Sequence, residues 1–163
     1  MAPLGTVDET AHIDYAYQIW HGKLPVFGHG LIIRPPHPAL RPPVQWESQH
    51  PPLNYLIVAP LVGPLIDAGH WVGATMAARL INCVIAAMSV AAIGWAAGAA
   101  VGRDRARWMI LSAAAATTIG GLIFTGGTAY NDPLLTLLSV LAAGIALRAS
   151  TKGSAASALR WRA

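Results

Sequence analysis

Residues 80–102 read LINCVIAAMSVAAIGWAAGAAVG, a run without Asp, Glu, Lys or Arg. A helix needs about 20 apolar residues to cross the ~30 Å hydrocarbon core of a bilayer, so this run predicts a transmembrane helix over residues 79–102. Cys83 is the only cysteine and lies inside the run, which rules out an internal disulfide and makes it a packing residue. Working outward, residues 108–131 are also free of charge and predict a second span over 108–130. Residues 133–147 are shorter, but Arg148 can snorkel toward the headgroups and complete a third span over 133–149. Residues 53–66 are apolar yet contain Pro60 and Pro64, which remove backbone donors and are expected to break helix geometry. Residues 53–69 therefore read as an interfacial or re-entrant segment. The expected fold is an all-α integral membrane protein with about three transmembrane helices and an extracytoplasmic first loop carrying interfacial helices.

The bulk composition agrees. The chain is 55% hydrophobic and 11% charged, against about 25% charged in an ordinary soluble domain. Its formal charge of +4 does not form the basic, aromatic-interleaved stripe that nucleic acid requires. Instead Arg103, Arg105, Arg107, Arg148, Lys152, Arg160 and Arg162 flank apolar runs, as cytoplasmic anchors do. Residues 1–52 hold four of the seven acids and five of the six histidines, and read as an extracytoplasmic loop region with one helix. Residues 53–149 read as membrane, and residues 150–163 as a loose, basic cytoplasmic tail.

Placing Arg103, Arg105 and Arg107 in the cytoplasm makes the first span run inward, the second outward and the third inward again. Asp8, Glu9, His12, Glu47, His50 and Asp132 then all lie outside, provided 53–66 does not cross. No basic segment followed by an apolar core opens the chain to deliver that loop. The expectation is a partial chain with an anchor upstream.

The first helix has a legible start. Thr6-Val7-Asp8-Glu9 fits a capping box, in which Thr6 caps the Glu9 amide and both acids favour the positive helix end. Ile13, Tyr17 and Trp20 recur at helical spacing and make an apolar stripe able to lie on a membrane, while Asp8 and His12 sit one turn apart on another face.

Three places then share a pattern. Asp8-Glu9, His12, Tyr15 and Gly22-Lys23-Leu24-Pro25 form the first; Glu47, His50-Pro51-Pro52-Leu53 and Tyr55 the second; Tyr130-Asn131-Asp132 the third, with Arg79-Leu80-Ile81-Asn82 opening a span. In this order they resemble the amino-terminal part of GT-C class membrane glycosyltransferases, of the family 39, dolichyl-phosphate-mannose mannosyltransferase-like kind. Asn54 replaces the first aromatic of that family's second motif, and its carboxy-terminal donor-binding portion has no counterpart. The resemblance implies transfer of a sugar from a polyprenyl-phosphate-linked donor to an acceptor outside the cell membrane. It assigns catalysis to Asp8 and Glu9, with Asp8 the base, and donor or substrate binding to Glu47, His50, Tyr55, Arg79 and Asp132. Membrane lipids are the other expected partners, and nucleic acid is not one.

Each assignment has a plainer reading beside it. Asp8 and Glu9 also suit a helix start. His12, Glu47 and His50 can be read as ligands of a divalent metal ion or as interfacial hydrogen-bonding groups. Asp132 before Pro133 suits a helix cap as well as a cavity carboxylate, and Arg79 meets a lipid phosphate or merely snorkels. His21, His29 and His37 read as solvated, and His70 as interfacial. For the chain as a whole, the rival is a non-enzymatic small membrane protein or transporter component with an acidic outer vestibule. A shared external setting for Asp8 and Asp132 favours the enzyme, whereas breaks at mid-membrane favour the transporter.

Overall fold

A computed structural model describes residues 7–34, 42–101 and 103–160. Among these the chain is helical and has no strand: α1 (Val7–Trp20), a 3-10 turn (Glu47–Gln49), α2 (Leu53–Asp67), α3 (Trp71–Ala100), α4 (Arg105–Ala116), α5 (Gly120–Gly126) and α6 (Asp132–Arg160). Two helices are long and apolar enough to cross a membrane, α3 and the Asp132–Ser150 part of α6. The pair α4 and α5 meets the same test jointly, but is bent by 69°. At 15 residues α2 spans about 22 Å, too short to cross.

Four expectations change. The helix expected from residue 79 begins at Trp71. The prolines do not break α2, which runs unbroken past Pro60 and Pro64. Four residues apart, both prolines lie on one exposed side, so the gaps in the hydrogen-bond ladder stay on the surface. The straight span expected over 108–130 is broken instead. Thr117 and Thr118 turn their hydroxyls back onto the carbonyls of Ala114 and Ala115, at 2.7 and 2.8 Å, where α4 ends. Such back-bonding competes with the next turn of backbone, and a new helix starts at Gly120. Finally, α6 continues to Arg160, so residues 150–160 extend a helix rather than form a loose tail.

The chain divides into two compact units. The first comprises Met1–Val84 and Thr125–Asp132. Its core packs Ile13, Tyr15 and Ala16 of α1 against Tyr55, Val58, Ala59, Val62 and Ile66 of α2, with Leu31, Ile33, Ala74, Ala78 and Ala129 joining them. The stripe expected to face lipid is consumed here in part. Ile13 is buried, while the Tyr17 hydroxyl and the Trp20 indole donate to the two oxygens of Asp67, at 2.7 and 2.9 Å. Gly63 permits this approach, since a Cβ there would fall within the Trp20 ring. The exposed apolar face belongs instead to α2, through Leu53, Leu56, Ile57 and Leu61.

The second unit comprises Ile85–Phe124 and Pro133–Ala163. Gly94 and Gly98 sit one turn apart on α3 and admit Met109 of α4 at close range, a small-residue contact typical of membrane helix pairs. Gly144 of α6 similarly receives the Trp95 ring. The Arg148 guanidinium lies 5.4 Å from that ring's centre, a cation–π contact.

Candidate functional site

The site lies within the first unit and begins with two neighbouring carboxylates that part company. Asp8 is exposed and Glu9 is fully buried, because consecutive residues project about 100° apart around a helix. Arg79 Nε and Nη2 donate to the two Glu9 oxygens, each at 2.8 Å. The Ala129 amide adds a third bond at 3.1 Å. Glu9 and Arg79, expected at the chemistry, thus join α1, α3 and the 125–132 segment as a buried bidentate ion pair. The Thr6 half of the capping box lies outside the described residues.

A second group surrounds Glu47. Its Oε2 is 2.6 Å from His50 Nε2 and 3.7 Å from His12 Nε2, and the Trp46 side chain also hydrogen-bonds it. His12 Nδ1 meets the Tyr55 hydroxyl at 2.7 Å, and the Asn131 amide nitrogen meets His50 Nδ1 at 3.2 Å. These contacts select tautomers. An amide donor at His50 Nδ1 leaves the proton on Nε2, aimed at Glu47, and the Nε2–H form of His12 lets Tyr55 donate to Nδ1. Tyr15 stacks on Tyr55 with centroids 3.7 Å apart and donates to the His50 carbonyl.

Burial dominates the electrostatics. It lowers the His12 imidazole from 6.5 to about 3, helped by electrostatic coupling to His50. It also raises the Glu47 carboxyl, with His50 opposing and Asp8 adding to the rise, and raises the Tyr55 phenol, with Glu47, Tyr15 and Asp132 adding. Asp8 and Asp132 are both exposed and their fields reach this one cluster. Asp132 is the first residue of α6, and Asn131 before it turns its side chain to His50.

His12, Glu47 and His50 do converge, His50 in hydrogen-bond contact with Glu47 and His12 3.7 Å from the same oxygen. Among the described residues no group of three His, Cys, Asp or Glu is placed to hold a metal. His21 approaches Asp67 at 3.4 Å and so is not simply solvated. His37 lies outside the described residues.

Sequence reasoning missed Asp14 and Gln45, which support this cluster. Asp14 is buried and accepts four bonds: the Ile32 and Ile33 amides on Oδ1, and Gln18 and Gln45 on Oδ2, at 2.7 to 2.9 Å. Burial still raises its carboxyl, against those four bonds. Gln45 also donates to the Ala11 carbonyl and accepts the Glu47 amide, so Asp14 sets Glu47 through Gln45. The i,i+4 spacing of Asp14 and Gln18 is a sequence signal; the link to Gln45 has none. Asn82, inside the apolar run, donates to the carbonyls of Thr128 and Tyr130 at 2.7 and 2.6 Å. Cys83 is exposed and donates to the Gly126 carbonyl at 3.1 Å, which is more than packing. Together they fix the turn that presents Asn131.

The lowered His12 gives a pH prediction. The unfolded imidazole takes a proton near 6.5, and the folded one resists it until about 3. The stability contributed by neutral His12 is therefore present above pH 6.5 and is lost as pH falls through that window, by about 1.4 kcal/mol per pH unit. Glu47, with its raised carboxyl, works in the opposite sense. The His12 part is read as the difference between wild type and His12→Gln in denaturant titrations across that window. The variant should show the flatter acid limb.

Comparison of the chain with protein-family models, with curated proteins and with solved structures gives no match.

Proposed function

We propose that the protein acts in a membrane glycosyltransferase that moves a sugar from a polyprenyl-phosphate-linked donor to an acceptor outside the cell membrane. The observation that supports this most is convergence. Three stretches that resemble GT-C motifs, at 8–12, 47–55 and 130–132, meet in one cluster, through His12 against Tyr130 and Glu47 and through His50 against Asn131, 81 positions away. Asp8 is exposed, its charge is felt at Glu47, and we assign it the role of base. In the proposed step the acceptor oxygen bonds to the anomeric carbon, the bond from that carbon to the phosphate oxygen breaks, and the acceptor proton passes to Asp8. Polyprenyl phosphate leaves. Tyr55 lines the same cluster, the charge of Asp132 reaches it, and His50, held by Glu47 and Asn131, presents a partly exposed imidazole.

The test is turnover in membranes containing the protein, using polyprenyl-phosphate donors with radiolabelled sugars. Protein-dependent release of polyprenyl phosphate, with label appearing in an acceptor, is expected. No release from any donor of that class would overturn the proposal. One observation favours the rival reading of a transporter component: the break between α4 and α5, because discontinuous helices build transporter sites. Solute flux in proteoliposomes without sugar transfer would decide for it.

A further inference from the structure

After α1 the chain forms a closed projection whose apolar side chains point outward. The Gly28 amide donates to the Gln45 carbonyl and the Gln45 amide to the His29 carbonyl, at 3.0 and 2.6 Å, while His29 N–H closes onto Val26 O at 3.1 Å. Gly28 has φ +79°, a left-handed conformation that suits glycine. This is a built turn. Leu31 and Ile33 anchor it in the core, at 4% and 1% exposure. Leu24, Val26, Phe27 and Ile32 are exposed at 66%, 54%, 64% and 48%, a concentration of apolar surface that marks an interaction site.

Charge and position indicate what covers it. Lys23 and Arg34 bracket the tip and are both exposed, and residues 21–46 contain no Asp or Glu. The root is tied to the connection between α2 and α3, because Asp67 accepts from Tyr17 and Trp20 and approaches His21, four positions before α3 starts. The helices on either side of that connection also expose apolar side chains, Leu61 on α2 and Val72 and Met76 on α3. We infer that the 23–34 turn is a membrane-docking finger: Leu24, Val26, Phe27 and Ile32 enter the lipid surface, and Lys23 and Arg34 pair with anionic headgroups. An apolar tip flanked by cations is the pattern of interfacial segments, and each basic residue near an anionic surface strengthens attachment about fivefold. The inference stands apart from the sugar chemistry.

A nitroxide at Phe27→Cys in a Cys83→Ser background tests it, with the protein in nanodiscs of phosphatidylcholine alone and with phosphatidylglycerol added. Gln49→Cys, exposed in the same unit, is the aqueous reference. The label at 27 should collide with oxygen in preference to a water-soluble nickel chelate, and the label at 49 should do the reverse. Phosphatidylglycerol should raise the immersed population, and Lys23→Gln and Arg34→Gln should each reduce that population ratio about fivefold. Nickel access at 27 equal to that at 49 in both discs overturns docking, as does immersion that appears only when two copies share a disc. Immersion indifferent to phosphatidylglycerol overturns the headgroup pairing.

Discussion

Asp8→Asn is expected to lower sugar transfer by about 100-fold or more while leaving the fold intact. The two expectations have separate causes. Asparagine keeps the size of the side chain but cannot take the proton that the proposed step gives to Asp8, so on that proposal the loss falls on the chemical step. Asp8 is exposed, so no burial is lost. Its contribution to the positive end of α1 is only about 0.3–1 kcal/mol, a small fraction of a domain's stability. The measurement is the rate of label transfer per folded protein at saturating donor, alongside thermal unfolding of the same preparation. A variant that unfolds as wild type and transfers at the wild-type rate would show that Asp8 is only a helix-start acid. Because Asp8 contributes to the raised Glu47 carboxyl, the variant should also ionise Glu47 at lower pH. Carboxylate infrared bands compared with those of Glu47→Gln would read that shift.

Arg79→Met should destabilise the protein by about 3–5 kcal/mol, the usual consequence of removing one partner from a buried ion pair. Arg79 and Glu9 are 8% and 0% exposed. Methionine fills much of the space and restores none of the charge, so the buried Glu9 loses both guanidinium bonds. The companion change Glu9→Gln in the same chain removes the orphaned charge, so the double variant should recover much of the loss. Unfolding of both single variants and the double variant in one detergent gives the coupling directly. Equal stability of Arg79→Met and the double variant would mean that the charge pair is not what Arg79 supplies. Since Glu9 also holds the Ala129 amide, exchange of that amide should quicken in Arg79→Met. The Asn131–His50 contact two positions on would loosen with it.

The helical class and the two long apolar helices were legible because hydropathy over about 20 residues is a local property. The sequence of 80–102 needs no partner to be read as a span-length helix. The first helix was legible for a similar reason, down to the acids at its start. The fate of neighbouring residues was not. Asp8 and Glu9 are chemically alike and adjacent, yet one is exposed and the other is buried against Arg79, 70 positions away. Pro60 and Pro64 look like breaks until α1 covers the opposite side of α2 and supports the helix through them. Thr117 and Thr118 look like ordinary span residues until their hydroxyls take the last carbonyls of α4. Asp14 and Gln45 carry no motif, yet their bond sets the Glu47 amide. The sequence by itself determined the helical class and which segments are apolar, through composition and length. Only the tertiary structure decided which polar groups pair, because a buried donor or acceptor is worth what its partner makes it, and that partner is brought by the fold from far along the chain.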